Sequence, residues 1–389
     1  MDVDTRSATL IDSSNSDGSG FGTFPTERSR PSSHGETVFG GCRGFDGPEP
    51  SASLDEQPVP LACHPTRGSA NVTSRVPSRQ DPSVDRRNAD PDELADAKRR
   101  AGSRVSVVIP ARDEETTVGL VAGRLIATLQ RRSGLVDEVL VVDADSRDRT
   151  GAVAERAGAR VVRQADVLPD QGTHVGKGEA MWKGLAASTG DLVVFVDADI
   201  VGIDERFVTE LLAPLLADPD VALVKAAYDR PLRTGDHVAP TGGGRVTELL
   251  ARPLLASLWP ELAWLTQPLA GECAARRPLL ESLPFVRGYG VELAMLVDVA
   301  ASLGPSAIRE VDLGRREHVH QSLDALGRMA AEILQVALQR AASQGRLTLD
   351  RPLGGSLPQP SRRADGSVAR LEYPLDIAER PPLRSVRSG

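Results

Sequence analysis

The sequence predicts an α/β protein built on a mainly parallel sheet, and three observations carry that expectation. Short apolar runs rich in valine, such as Val105-Ser-Val-Val-Ile109 and Glu138-Val-Leu-Val-Val-Asp143, alternate with stretches whose apolar residues recur at helical spacing. Strands buried on both faces read as continuous apolar runs of this kind. Carboxylates stand at the ends of two such runs, Asp143 and Asp197, which is where open α/β sheets bind ligands. The pattern is confined to residues 101–345 of the 389, enough chain for one large aliphatic core.

The first half of that region is regular. Val105–Ile109 is an expected strand, closed by Pro110, and Val118–Arg131 an amphipathic helix. Glu138–Asp143 is the second strand, and a helix capped by Ser146 or Asp145 follows it to about Gly158. Ala159–Arg163 is a third, shorter strand, Gly178–Ser188 a helix, and Leu192–Val196 the fourth strand. This β-α-β order implies right-handed crossovers and a crevice faced by both carboxylate-tipped strands. In the second half, helices are expected at Phe207–Leu216, from about Val246, from Tyr289 to about Gly304 and over Leu323–Ala342. Strands are expected at Val221–Tyr228 and Ala307–Leu313. Leu254–Leu265 is apolar and serves either the core or a dimer face.

The flanks differ. Residues 1–100 are rich in turn formers and charge, without apolar periodicity, and are expected to be disordered apart from a charged helical turn at Asp92–Arg100. Residues 346–389 read as an extended tail with a strand-like patch at Ala369–Pro374. The net charge of −8 argues against nucleic acid as a partner. Cys42, Cys63 and Cys273 have no metal-ligand spacing, and no run approaches the roughly 18 apolar residues of a membrane span. The amino terminus lacks the basic and apolar parts of a signal peptide, so the expected location is cytoplasmic.

Four segments carry chemistry. Asp191-Leu-Val-Val-Phe-Val-Asp197-Ala198-Asp199 ends a strand in two carboxylates one residue apart. Strand geometry turns both to one side, and paired hard oxygen ligands suit a divalent cation carrying a diphosphate. An exposed acidic strand end is the plainer alternative. Gly176-Lys177-Gly178 fails as an ATP or GTP phosphate loop, because the spacing is wrong and no Ser or Thr follows, yet a lysine at a glycine-flanked helix start suits a phosphate. Thr241-Gly-Gly-Gly244-Arg245-Val-Thr247-Glu248 offers close backbone approach, helix-start N–H groups, a guanidinium and a hydroxyl, the parts of a site for a small phosphorylated acid. Glu317-His318-Val-His320 follows Arg315-Arg316, and His318 is a candidate to complete a metal site begun by Asp199.

Taken in order, Val108-Ile-Pro-Ala-Arg-Asp-Glu-Glu-Thr116, Gly176-Lys-Gly-Glu-Ala-Met-Trp182, Val196-Asp-Ala-Asp199, Thr241–Glu248, Gly288-Tyr-Gly-Val-Glu292 and Arg315-Arg-Glu-His318 resemble the actinobacterial glucosyl-3-phosphoglycerate synthases. The resemblance spans roughly residues 103–343 and extends to the tail at Tyr373–Arg387. It implies a GT-A (Rossmann-like) nucleotide-sugar-binding fold, with a donor half at 101–200 and an acceptor half at 201–345. It implies transfer of glucose from UDP-glucose to 3-phosphoglycerate with retention, a divalent cation, Mg²⁺ or Mn²⁺, and a homodimer. By the same resemblance Pro110, Ala111, Arg112, Glu114 and Asp143 surround the uridine, and Lys177 meets the nucleotide and phosphate. Asp197 and Ala198 lie at the ribose or donor sugar, Asp199 and His318 ligate the metal, and Leu269, Gly271 and Glu292 surround the glucose. Gly244, Arg245 and Thr247 hold the acceptor phosphate, with Arg316 and His320 nearby; Glu292, Lys177 and Arg245 are the residues closest to the chemistry. The sequence departs from the family at Arg112, where an apolar residue is usual, at Ala144, where serine is common, and at His320, where asparagine is typical. Open alternatives are a mannosyl-3-phosphoglycerate synthase, a polyprenyl-phosphate glucosyltransferase and a non-catalytic nucleotide-sugar-binding protein.

Overall fold

The computed structural model describes residues 89–387, apart from 230, 235, 236, 243, 317–321, 363 and 364. Residues 1–88, expected to be disordered, lie outside the described residues, as do His318 and His320. The last part of the expected extension is not a single turn but a ten-residue helix, α1 (Pro91–Arg100), capped by Asp90. Its Ala95 is buried in the core, and the Lys98 ammonium binds Asp137 at 3.0 Å. A proline in the first turn, acidic residues near the start and basic residues at the end stabilise a short helix here.

The chain then alternates as expected. β1 (Val105–Ala111) leads into α2 (Val118–Leu125), whose last two turns, Ile126–Arg132, widen to π geometry. β2 (Glu138–Asp143), α3 (Thr150–Arg156), β3 (Arg160–Arg163), α4 (Lys177–Ala187), β4 (Leu192–Phe195), α5 (Arg206–Ala217) and β5 (Leu223–Asp229) follow. The hairpin β6 (Pro231–Thr234) and β7 (His237–Gly242) precedes a π-helical turn, Thr247–Ala251, which continues as α6 (Arg252–Leu258). β8 (Cys273–Arg276), α7 (Arg277–Ser282), β9 (Phe285–Val286), α8 (Val291–Leu303), β10 (Ile308–Arg315) and α9 (Leu323–Ser343) complete the region. The tail is more structured than expected: β11 (Ser356–Arg362) pairs with β12 (Val368–Pro374), β13 (Glu379–Arg380) pairs with β9, and α10 (Leu383–Arg387) ends it.

Seven strands form one sheet in the order β10-β5-β8-β4-β1-β2-β3. All neighbours are parallel except β8, which runs antiparallel between β4 and β5. Alternate strand residues point to opposite faces, so two core layers form. One gathers α1, α2 and α5 around Val107, Ile109 and Val194; the other gathers α4, α8 and α9 around Val108, Val193 and Phe195. Leu255, Trp259, Leu262 and Leu265 are buried in the second layer, so the apolar stretch 254–265 serves the core. Among the described residues no helix is long and apolar enough to cross a membrane.

Candidate active site

The carboxyl ends of β1 and β4, the starts of α4 and α8 and the loop before β8 enclose a cavity of about 540 Å³. β1 delivers Pro110, Ala111 and Arg112 to its wall, and Glu114 follows in the next turn. β4 delivers Asp197, Ala198 and Asp199. Leu269 and Gly271 line it from the β8 loop, and Lys177 and Glu292 from the first turns of their helices. Gly244, Arg245 and Thr247 line the same cavity. Segments more than a hundred residues apart in sequence are thus brought together.

At its centre is a chain of alternating charge. Lys177 Nζ lies 2.7 Å from Asp197 Oδ1 and 2.9 Å from Glu292 Oε1. Arg316 continues it, 3.3 Å from Asp197 Oδ2, 2.8 Å from Asp199 Oδ1 and 2.5 Å from Glu272 Oε1. Tyr228 donates its hydroxyl to Glu272 at 2.9 Å and accepts from Arg316 at 2.9 Å. Burial works against the Lys177 ammonium, but Asp197 and Glu292 outweigh it and hold its pKa well above the usual lysine value. Burial likewise opposes the Asp197 carboxylate, yet Lys177 and Arg316 hold its pKa below the ordinary range. Burial raises Glu272, despite the opposing pull of Arg316. Four carboxylates face two cations, so two negative charges are left for a cation to neutralise.

Of the two expected metal ligands, Asp199 lies within the described residues. Asp199 stands on the cavity wall with its side chain half exposed, which suits a hard cation, while Arg316 binds its Oδ1. The second expected ligand, His318, lies outside the described residues. Among the described residues no group of three or more His, Cys, Asp or Glu side chains is set to hold a metal ion.

Two expectations change. Asp143 is not in the cavity wall; its Oδ1 accepts the Ser146 N–H at 2.9 Å, closing the turn after β2. Neither Ser146 nor Asp145 caps the following helix, which starts at Thr150 with Asp148 accepting its N–H at 2.9 Å. Ser146 instead accepts from the Asp113 N–H, and Asp113 accepts from the Arg147 N–H, so the first two loops are stitched together. Arg316, expected near the acceptor phosphate, lines the same cavity as Gly244–Thr247, 4% exposed and bound to the Asp197–Asp199 pair. Sequence reasoning also missed Glu272 and Tyr228, which secure Arg316, and Glu332 and Asp376, which line the cavity from α9 and the tail.

Known proteins are similar to this chain in sequence and fold. The glycosyl transferase family 2 model matches residues 106–281. The glucosyl-3-phosphoglycerate synthase of Mycolicibacterium paratuberculosis is 45% identical over 297 residues, 74% of this chain and 86% of the relative. A crystal structure of glucosyl-3-phosphoglycerate synthase from Mycobacterium tuberculosis in complex with Mn²⁺, UDP-glucose and phosphoglyceric acid superposes with a TM-score of 0.66 at 40% identity, covering 77% of this chain and 95% of that one. Mannosyl-3-phosphoglycerate synthase from Rubrobacter xylanophilus superposes with a TM-score of 0.70 at 39% identity, over 76% and 93% of the two chains. The glycosyltransferase fold expected from the sequence is present. On this evidence the chain belongs to the glucosyl-3-phosphoglycerate synthase family.

Proposed function

We propose that this protein transfers glucose from UDP-glucose to 3-phosphoglycerate with retention at the anomeric carbon. The observation that carries the reading is the single cavity that joins the strand-end carboxylates and Lys177 to the glycine-flanked Arg245 and Thr247. Pro110 and Ala111 seat the base and ribose on the β1 edge, and Glu292, Gly271 and Leu269 surround the glucose. Gly244, Arg245 and Thr247 receive the acceptor phosphate, for which a planar guanidinium and backbone N–H groups are matched donors. Asp199 and His318 would hold a divalent cation, which neutralises charge on the leaving diphosphate.

Lys177 carries its proton throughout the neutral range and stabilises the same developing charge. The acceptor hydroxyl attacks the anomeric carbon from the face that UDP leaves. The new C–O bond forms as the bond to the β-phosphate oxygen breaks, and the hydroxyl proton passes to that departing oxygen. Glu292, held at 2.9 Å by Lys177, orients the sugar.

A mannosyl transfer to the same acceptor is the second reading, favoured by the similarity to the Rubrobacter enzyme. A matrix of UDP-glucose, GDP-glucose and GDP-mannose against 3-phosphoglycerate and glycerate, with Mg²⁺ or EDTA, separates the two. The expected result is turnover with UDP-glucose and 3-phosphoglycerate that EDTA abolishes. Turnover confined to GDP-mannose, or undiminished by EDTA, would overturn the reading.

A further inference from the structure

Lys177 and Glu292 belong to different helices, and neither helix fixes its own first turn. The α4 start lies instead against β9 and the loop behind it. The Glu179 N–H donates to the Arg287 carbonyl at 3.1 Å. A side chain at Gly176 would collide with the Arg287 carbonyl, and one at Gly178 with the Val286 carbonyl, so the two backbones touch. The same loop runs through Gly290 into α8 and so carries Glu292.

That loop is in turn gripped by the carboxyl-terminal tail. β13 pairs with β9 at Glu379↔Val286 and Arg380↔Phe285, and the Arg287 N–H donates to the Ala378 carbonyl at 2.9 Å. The Arg287 guanidinium binds Asp376 at 2.7 Å. Arg380 then crosses to α4. Its fork binds Glu179 through both oxygens, at 2.5 and 2.6 Å, and its remaining N–H groups reach the carbonyls of Gln171 and Gly172 at 2.6 and 3.1 Å. Glu179 is fully buried and Arg380 only 5% exposed, so this is a desolvated, bidentate pair one turn from Lys177. Trp182, packed under the Arg380 guanidinium at 5.2 Å, donates its indole N–H to the Pro381 carbonyl at 3.0 Å.

We infer that residues 376–381 are a positioning strap, with Arg380 and Glu179 as positioning residues that set Lys177 and Glu292 at one distance from each other. The tail reaches both helix starts through one short strand, so it fixes their separation, and Asp376 is its one residue on the cavity wall. The Lys177–Glu292 contact of 2.9 Å is the quantity it controls. The inference rests on the roles assigned above to Lys177 and Glu292.

The test compares Arg380→Lys, which keeps charge but loses the fork, with the double variant Glu179→Gln/Arg380→Gln, which removes both charges of the pair together. Leu129→Ala, a core truncation in the opposite layer, serves as the control for loss of stability. The strap variants should lose at least about tenfold in kcat while KM for 3-phosphoglycerate, whose phosphate is assigned to Gly244–Thr247, moves less than about twofold. Amide exchange should quicken at 176–179 and 287–292. Leu129→Ala should lower Tm and leave kcat within about twofold. A strap-variant kcat within twofold of wild type, or falling in step with the control, would overturn the inference. Should the wild type transfer no glucose to 3-phosphoglycerate, the functional reading falls, and exchange alone decides the strap. Quickening confined to those two segments would support it; unchanged or uniformly raised exchange would refute it.

Discussion

Lys177 and Arg316 share Asp197 between them, but they are secured differently. Arg316 is buried against Glu272, Tyr228 and both aspartates, so it serves as the internal counter-charge of the strand-end pair. Lys177 keeps about a quarter of its side chain exposed on the cavity wall. Gly271 makes this spacing possible. A β-carbon there would collide with Lys177 Nζ and the Asp197 carboxylate. Both are ends of flexible side chains, so Gly271→Ala should fold, with Tm within a few degrees of wild type. The displaced ion pair should cost about tenfold or more in kcat, measured by steady-state assay with Tm as the control. The residue-scale signals in the sequence were uneven. Asp197, Asp199, Lys177 and Arg245 announce themselves because each is a charged residue at a strand end or a glycine-flanked helix start. Glu272 and Tyr228 carry no local mark; their partner Arg316 lies 44 and 88 residues away, and only the sheet brings them together.

Among the elements, α8 and α9 are joined by a pair whose charge depends on pH. Asp298 on α8 binds Arg340 on α9 at 2.8 Å, and Arg340 also binds Glu379 of the tail at 2.5 Å. Burial, more than Arg340 can offset, raises Asp298 to about 6. The folded state therefore holds a proton that the unfolded state has already lost. The stability this gives is fully present below about pH 4 and declines as pH rises to about 6, by on the order of 2 kcal/mol. Denaturation midpoints of wild type and Asp298→Asn, compared between pH 4.5 and 7.5, should show the wild type losing ground to the variant as pH rises. A constant difference would contradict the assignment. Most elements were legible because valine-rich runs and helical apolar spacing mark them. β8 was not, since Cys273-Ala-Ala-Arg276 has little strand preference of its own and takes its conformation from ladders to β4 and β5. The helix α1 was underread because its charged surface resembles the segment before it; Ala95 and Lys98 are buried and Leu94 packs beside them against the core.

The described residues place a mixed sheet between two aliphatic layers and open a cavity at the carboxyl ends of its central strands. The order of β1 to β4 and the crevice at their carboxyl ends follow from the chain pattern and the handedness of parallel crossovers. The closing of that crevice by α9 and the tail does not, because Leu326, Glu332 and Asp376 reach it from segments with no sequence pattern pointing inward. The central claim is that this one cavity holds two half-sites, a donor half on β1, β4 and α4 and an acceptor half at Gly244–Thr247. Arg245 separates them most directly. Lysine supplies charge but not the planar fork, so Arg245→Lys should already weaken acceptor binding, and Arg245→Ala more so. Losing a charged hydrogen bond costs about 1.5–3 kcal/mol, which raises KM for 3-phosphoglycerate roughly tenfold or more. Steady-state kinetics of Arg245→Lys and Arg245→Ala, with each substrate varied in turn, should show that rise while KM for UDP-glucose stays within about twofold of wild type. A rise in KM for UDP-glucose with the acceptor constant unmoved would contradict the division of the cavity.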